Sequence, residues 1–232
     1  MSDSPARRRS VTQRLESLHR AGVSHIPKAE GADTFRPDSE SGKGVQQELQ
    51  VLKEQVAQCV LCDELVAHRK QTVFGVGNPG ARLCFLGEGP GADEDRIGEP
   101  FVGRAGELLN KIIEACGLRR EDVYILNVVK CRPPGNRNPL PSEAANCLPF
   151  LQAQLATIQP EFICCLGAVA AQTLLETDAG IGALRGRWHT YADQKVLCTY
   201  HPAYLLRNPS AKRSVWEDMQ LLIQAMGLSG NG

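Results

Sequence analysis

The sequence predicts a three-layer α/β/α protein, in which helices cover both faces of a mainly parallel central sheet of four strands. Short apolar runs alternate with amphipathic stretches, which is the pattern of parallel strands joined by helices. The chain has 232 residues, of which 42% are hydrophobic and 22% charged, so it can bury one substantial core. Polar or glycine-rich segments follow the apolar runs, at the edge where open α/β sheets bind ligands.

The amino-terminal part differs from the rest in composition. Residues 1–44 are rich in Ser, Arg, Gly and Pro and predict a disordered extension, with a short helix near Val11–Leu18. Residues 45–228 form the predicted domain, which opens with an amphipathic helix that leads into Cys59. The apolar residues of this helix are Val45, Leu49, Leu52 and Val56.

The first half of the domain contains two predicted strands. The apolar run Leu83–Leu86 is the first, and a glycine-rich loop, residues 87–106, separates it from a helix that begins at Gly106. Val123–Val129 is the second strand. A proline-rich segment follows it, and Ser142 then caps a helix over Glu143–Leu155.

The second half repeats the same alternation. Phe162–Leu166 is the third strand, and Gly167 starts the helix Ala168–Leu175. Lys195–Thr199 is the fourth strand, and a final helix covers Ser210–Met226. Because parallel strands end at one edge of the sheet, the residues that follow them are expected to share one pocket. Glu88, Asn127 and His201 occupy such positions.

The glycine-rich loop is the candidate ligand site. It contains neither GxGxxG nor GxxxxGK[ST], which disfavours nucleotide binding. Five acids lie between Glu88 and Glu99 with a single arginine, a composition that disfavours a phosphate ligand. Gly87 and Gly89 allow the backbone to approach a ligand closely. The loop therefore predicts a neutral, planar ligand, with Phe101 as a stacking surface.

Nine cysteines in a chain without a secretory signal indicate metal ligands together with free thiols. Cys59 and Cys62 form a CxxC pair, and Cys131 and Cys147 follow with fifteen residues between them. Spacing alone leaves an iron–sulfur cluster, a zinc site and unrelated structural cysteines as alternatives. The other five lie in apolar strands or on a helix, where buried thiols are expected: Cys84, Cys116, Cys164, Cys165 and Cys198.

The formal net charge is zero, so the whole chain gives no electrostatic argument for nucleic acid. Locally the balance differs, because Arg185–Arg213 contains six basic residues against one acid. This segment predicts either a surface for a polyanion or a solvated basic face. No apolar run reaches the roughly 20 residues of a membrane span, and a cytoplasmic protein without a membrane partner is expected.

In combination, the loop, Asn127, the four spaced cysteines and the turn His201-Pro202-Ala203-Tyr204 closely resemble the family 4 uracil-DNA glycosylases. The similarity runs from about Gln58 to Leu222. The resemblance implies a monomeric enzyme that excises uracil from single- or double-stranded DNA and leaves an abasic site for base-excision repair. It also implies a [4Fe-4S] cluster, with no catalytic metal or nucleotide cofactor. The implied cluster ligands are Cys59, Cys62, Cys131 and Cys147.

The resemblance also assigns roles around the base. It makes Asn127 the residue that reads uracil, because an amide offers both the donor and the acceptor that the base edge requires. Phe101 would stack on the base, and Glu94 would stand beside C5 and exclude the methyl group of thymine. Gly87 and Gly89 belong to the same substrate-binding loop.

For the chemistry, His201 is expected to stabilise the negative charge that develops on uracil O2. Glu88 is expected to orient water or to offset the charge of the sugar cation. The related family 1 enzymes carry an Asp one position later, where this chain has Gly89. The role of Glu88 is therefore a hypothesis.

The predicted DNA contacts follow His201. By resemblance Leu205 is a wedge that enters the duplex and Arg207 a phosphate contact, although Leu205 and Leu206 would serve equally well as ordinary loop anchors. Further phosphate contacts are expected from the basic segment: Arg185, Arg187, Lys212 and Arg213.

Two alternatives stay open. One is a related enzyme with a different base range, such as hypoxanthine or xanthine. The other is an iron–sulfur protein that binds DNA without turnover, including relatives that bind uracil-DNA covalently. Those relatives carry a basic, histidine-containing insertion after the loop, whereas Gly103–Gly106 here runs directly into a helix.

Overall fold

The structure, a computed structural model, describes residues 39–228, with side chains from residue 44. The predicted disorder up to residue 38 and the short helix at Val11–Leu18 lie outside the described residues. Helix α1 (Ser39–Ala57) starts before the expected boundary at Val45. The helix ends just before Cys59, as the apolar spacing predicts.

The predicted α/β/α fold is confirmed, and the sheet is larger than predicted. Its six strands follow the order β1-β3-β2-β4-β6-β5. The four central strands are mutually parallel and are the predicted ones: β2 (Leu83–Gly87), β3 (Tyr124–Asn127), β4 (Phe162–Leu166) and β6 (Gln194–Thr199). Two antiparallel edge strands were not predicted, β1 (Val76–Gly77) and β5 (Trp188–Tyr191). They lack a continuous apolar run because edge strands are only partly buried.

Eight further helices connect these strands in the described part of the chain. They are α2 (Asp63–His68), α3 (Ala92–Ile97), α4 (Arg104–Ala115), α5 (Pro141–Ile158), α6 (Ala168–Leu175), α7 (Ile181–Leu184), α8 (Pro202–Arg207) and α9 (Lys212–Met226). Short 3₁₀ turns lie at Arg120–Asp122, Pro134–Asn136 and Pro209–Ala211. None of the described helices has the length and apolarity needed to cross a membrane.

The parallel strands are buried on both faces, and alternate residues of each strand belong to different cores. In β2, Cys84 and Leu86 pack with α1, α5 and α6, whereas Leu83 and Phe85 pack with α4 and α9. This arrangement gives the predicted three layers. All five cysteines outside the spaced set are buried free thiols, as expected.

Two local predictions were wrong. The segment 87–106 was predicted as a loop, but it contains helix α3. Helix α5 starts at Pro141 rather than after a Ser142 cap, because the Glu143 carboxylate accepts a hydrogen bond from the Leu140 N–H at 2.7 Å.

Candidate active site

Three of the predicted site residues meet at the carboxyl edge of the sheet. The rings of Phe101 and His201 lie 5.5 Å apart between centroids. A Cβ atom on Gly87 would contact Asn127 Oδ1 and would lie 2.6 Å from the Phe101 ring, so both side chains converge on the space that Gly87 leaves open. Phe101 therefore lies beside both Asn127 and His201, and the region formed by these three residues and Gly87 is called the pocket below.

A second glycine completes this pocket and was missed by the sequence analysis. Gly167 follows β4 and has a φ of +93°, a conformation that favours glycine. A Cβ atom there would lie 3.0 Å from the Cβ of His201. Gly167 therefore lets His201, which follows β6, approach from the neighbouring strand. Its position directly after a predicted strand was the available signal.

Asn127 is 2% exposed, and its side-chain Oδ1 has no hydrogen-bond partner within the described structure. Its backbone is held firmly. The N–H of the following residue, Val128, donates to Gly87 O at 2.9 Å, and Lys130 Nζ donates to Asn127 O at 2.7 Å. A buried acceptor without a partner is costly, so the amide is suited to receive a hydrogen bond from a ligand.

The backbone around Phe101 is held in an unusual conformation. Phe101 has a φ of +54°, in the left-handed region that non-glycine residues rarely adopt. Arg120 Nη2 donates to the preceding carbonyl, Pro100 O, at 2.6 Å. A Cβ atom on Gly106 would overlap the Phe101 carbonyl, so this helix glycine is needed for the loop to pack.

The Glu94 carboxylate holds the same loop from the other side. Its Oε1 accepts hydrogen bonds from the Val102 and Gly103 N–H groups at 2.9 and 3.0 Å, and its Oε2 accepts one from Gly91 at 3.1 Å. The sequence does not reveal this contact, because the donors are backbone groups up to nine residues away. The placement of Glu94 beside the base stays a prediction.

His201 lies at the amino-terminal cap of α8 and is neutral near pH 7. Burial, with a smaller effect from Arg207, lowers its pKa to about 4, against an opposing effect of Glu94. His201 Nδ1 accepts a hydrogen bond from the Ala203 N–H at 3.1 Å. Nδ1 is therefore the unprotonated nitrogen, and Nε2–H is left as a donor.

Glu88 is partly buried, and burial raises its pKa. Its backbone carbonyl accepts a hydrogen bond from the Val129 N–H at 3.1 Å, which fixes the start of the loop against the chain after β3. A Cβ atom on Gly89 would lie 2.7 Å from Val129 Cγ2. Close packing against Val129 thus favours glycine at position 89, whether or not the backbone there approaches a ligand.

The predicted DNA wedge does not agree with the structure. Leu205 is 1% exposed and packs in the core beneath α4 and α9, because the short helix α8 turns it inward. The exposed large apolar residues of α8 are Tyr204 and Leu206, at 39% and 40%. Four of the predicted phosphate contacts are exposed: Arg187, Arg207, Lys212 and Arg213.

Arg185 does not fit a phosphate contact. Its guanidinium donates to both carboxylate oxygens of the fully buried Asp218, at 3.1 and 2.9 Å, and lies 5.5 Å from the centre of the Tyr200 ring. Asp218 also accepts a hydrogen bond from Thr199 Oγ1 at 2.6 Å. Arg185 is thus engaged in joining α9 to the end of β6, beside the turn that carries His201.

A second site lies between α2 and α5. The four spaced cysteines, from three separate segments, line one cavity together with Arg69, Glu143 and Asn146. The Glu143 carboxylate is occupied by Arg137, at 2.7 and 2.8 Å. The four thiols are therefore the side chains suited to bind a metal centre here: Cys59, Cys62, Cys131 and Cys147.

Hydrogen-bond donors point at three of these sulfurs. Arg69 Nη1 lies 3.0 Å from Cys131 Sγ, the Lys130 N–H 3.3 Å from Cys147 Sγ, and Asn146 Nδ2 3.5 Å from Cys62 Sγ. Such donors are typical around iron–sulfur clusters. Four thiols in one cavity, with no free carboxylate among the described residues that line it, suit a thiolate-bound metal centre, either an iron–sulfur cluster or zinc.

Lys130 lies between the pocket and this cavity and was not singled out from the sequence. It is fully buried, and burial lowers its pKa to about 8, an effect that the Cys147 and Cys131 thiols oppose. Its only sequence signal is its position directly before Cys131.

The chain is also similar to known proteins. Residues 74–220 match the family model of the uracil DNA glycosylase superfamily. A type-4 uracil-DNA glycosylase of Thermotoga maritima is 46% identical over 178 residues, which cover 74% of this chain and 91% of that protein. Those of Archaeoglobus fulgidus and Saccharolobus solfataricus are 42% and 41% identical, over 75% and 77% of this chain and 90% and 86% of the relatives.

Proposed function

Because the chain belongs to the uracil DNA glycosylase superfamily, and within it to the type-4 enzymes, we propose that it removes uracil from DNA. The enzyme hydrolyses the N-glycosidic bond and leaves an abasic site, which starts base-excision repair. One observation carries the assignment of the pocket: an amide, an aromatic ring and an imidazole converge around a glycine gap.

Recognition requires that uracil leave the base stack, at a cost of a few kcal/mol. Asn127 reads the exposed edge, accepting from N3–H through its unpartnered Oδ1 and donating to O4 through its amide nitrogen. Phe101 stacks on the base, a contact worth roughly 1–3 kcal/mol. Glu94, held by the N–H groups of Val102 and Gly103, stands beside C5 of the base and excludes the methyl group of thymine, and Gly87 leaves room for the base.

Cleavage of the bond leaves negative charge on uracil O2. His201 is neutral, and its Nε2–H donates to this oxygen while Nδ1 is fixed by Ala203. Because the donor is positioned before the reaction, it needs no reorganisation as charge develops. Because His201 is neutral, no buried positive charge lies beside the uncharged base before the reaction.

Water then attacks the sugar. Glu88, at the start of the loop, orients this water in its ionised form and offsets the charge of the sugar cation. Glu88 directly follows the pocket glycine Gly87, and Gly89 offers no carboxylate that could take this role instead.

DNA binds along the surface after β6. The exposed side chains of Arg187, Arg207, Lys212 and Arg213 neutralise phosphates, and the enzyme acts as a monomer. Tyr204 and Leu206 take the wedge role in place of the buried Leu205, because they are the apolar α8 side chains that reach solvent beside His201.

The four cavity cysteines hold a [4Fe-4S] cluster. Their thiol chemistry, their common cavity and the donors aimed at their sulfurs support this set of ligands. When bound, the cluster supplies a cross-link between the end of α1, the segment after β3 and helix α5. The excision chemistry itself is carried by the residues of the pocket.

The test is incubation with an oligonucleotide that contains one uracil, followed by alkali and a denaturing gel. We expect strand cleavage at uracil, and a loss of at least about 10²-fold with Asn127→Asp, because an ionised acid cannot donate to O4. An unchanged melting temperature confirms that the variant is folded.

The same gel separates the alternatives. Parallel substrates with hypoxanthine or xanthine measure the base range, and a shifted band before alkali marks a covalent adduct. Cleavage of hypoxanthine DNA at a rate equal to uracil DNA, or an adduct without cleavage, would contradict the proposed function.

A further inference from the structure

Lys130 is the one fully buried lysine in the described part of the chain, and it lies where the base pocket and the cysteine cavity meet. It belongs to the segment from Asn127 to Cys131, which leaves β3 at the pocket and enters the cavity. A buried ammonium group is expensive unless it is paired and hydrogen-bonded. The position of Lys130 therefore calls for a reason beyond packing.

Towards the pocket, Lys130 fixes the peptide that follows Asn127. Its Nζ donates to Asn127 O at 2.7 Å, while the N–H of the same peptide, on Val128, donates to Gly87 O at 2.9 Å. The peptide is thus held at both ends. Since the orientation of this peptide limits where the Asn127 side chain can point, Lys130 acts on the base-reading amide without touching the base.

Towards the cavity, Lys130 faces two of the cluster ligands. Its backbone N–H donates to Cys147 Sγ at 3.3 Å, and it is joined to Cys131 by a peptide bond. On binding a cluster as thiolates, these two cysteines would place negative charge beside Lys130 and so balance its ammonium group.

We propose that Lys130 is a positioning residue that couples the cluster to base recognition, by pairing with the ligated Cys131 and Cys147 and holding the Asn127 carbonyl. This inference rests on the proposed function, because it concerns the same pocket and the same cluster. It gives the cluster a specific task in a reaction that needs no electron transfer, namely the placement of the uracil-reading amide.

The first test compares the iron-loaded Lys130→Met variant with a matched control, Lys111→Met, on the exposed face of α4. The measured quantities are iron per chain, the inhibition constant of free uracil, the reduction potential of the cluster, and KM and kcat for uracil excision. We expect Lys130→Met to keep its iron, to bind free uracil about tenfold more weakly, an effect equal to 1.4 kcal/mol, and to raise KM more than it lowers kcat.

The reduction potential of the cluster is a further measurement, and replacing a purely structural residue would not change it. Loss of a positive charge beside the cluster favours the oxidised form, so the potential of Lys130→Met shifts to a more negative value, while that of Lys111→Met does not change. Unchanged uracil affinity and unchanged potential in an iron-loaded Lys130→Met protein would overturn the proposal.

A second measurement needs no variant and stays decisive if Lys130→Met fails to fold. Coupling is reciprocal, so saturating free uracil must perturb the visible circular dichroism of the cluster in the natural enzyme, whereas cytosine must not. Equal spectra with and without uracil overturn the coupling. If the natural enzyme excises uracil but shows no such change, only the coupling fails; if it excises nothing, the proposed function fails.

Discussion

The base pocket and the cysteine cavity are neighbours, yet their geometry is determined in different ways. The pocket is attached to the ends of parallel strands, and backbone hydrogen bonds hold its residues before any ligand arrives. The cavity collects its thiols from three segments outside the sheet, and all four are free cysteines. The fold thus presets the pocket, whereas the segments around the cavity would be fixed further by the proposed cluster.

The largest effect is expected where the structure depends on the bound centre. Cys131→Ser removes a proposed ligand that also receives a hydrogen bond from Arg69, so we expect metal affinity to fall by at least about tenfold and soluble protein to be lost with it. Iron content, visible absorbance and melting temperature measure this. A Cys131→Ser protein that lacks iron but remains folded and active would show that the cavity does not need the cluster.

The matched control is Cys116→Ser. Cys116 is a buried free thiol on the other side of the sheet, away from the four ligands. Cys116→Ser replaces a thiol by a hydroxyl, as Cys131→Ser does. We therefore expect a modest loss of stability and full iron content. If Cys131→Ser and Cys116→Ser lost iron equally, the loss would be caused by general destabilisation and not by removal of a ligand.

A smaller effect, confined to the reaction rate, is expected in the preset pocket. His201→Asn removes the Nε2–H donor but keeps a side chain that can cap α8, as Nδ1 does through Ala203. We expect the single-turnover rate to fall by about 10²–10³-fold, with melting temperature and iron content unchanged. A rate near that of the natural enzyme would exclude His201 as the donor to O2.

Glu88→Gln should lower the rate less, by about 10²-fold, and should change its pH dependence. Burial raises the Glu88 pKa, and the ionised form is required, so activity rises with pH through that raised value. His201, with a pKa of about 4, stays neutral over this range and does not produce the acid limb. The pH profile of kcat/KM should therefore lose its acid limb in Glu88→Gln. Near-natural single-turnover cleavage would refute the role of Glu88.

The sequence predicts most of the pocket because its elements are local. Each of the four parallel strands is a continuous apolar run, and parallel strands bring the residues after them to one edge. Asn127 and His201 could therefore be placed together before the structure was known, whereas Phe101 was added to them by the family resemblance. The cysteine ligands, in contrast, come from the family resemblance, since spacing alone leaves zinc and structural thiols as alternatives.

The remaining features depend on partners that are distant in sequence. Arg185 looks like a surface cation, but its partner Asp218 lies 33 residues further along the chain. The inward turn of Leu205 depends on the phase of a six-residue helix, which is too short to show a period. Lysines are almost never fully buried unless paired, so a position directly before Cys131 is the only sequence feature that points to Lys130.

The smallest effect on function is expected for DNA binding, where two arginines of the basic segment should behave differently. Arg207 is exposed beside His201, so Arg207→Ala should weaken DNA binding about equally for all sequences and reduce the slope of log K against log salt by about 0.9. Arg185→Met instead leaves the buried Asp218 unpaired, which should cost about 3–5 kcal/mol of stability. The salt slope of Arg185→Met should not change, because the guanidinium that it removes is already paired with Asp218. Titrations at several salt concentrations, together with melting temperatures, measure both. A reduced slope in Arg185→Met, or an unchanged one in Arg207→Ala, would show that the DNA surface lies elsewhere.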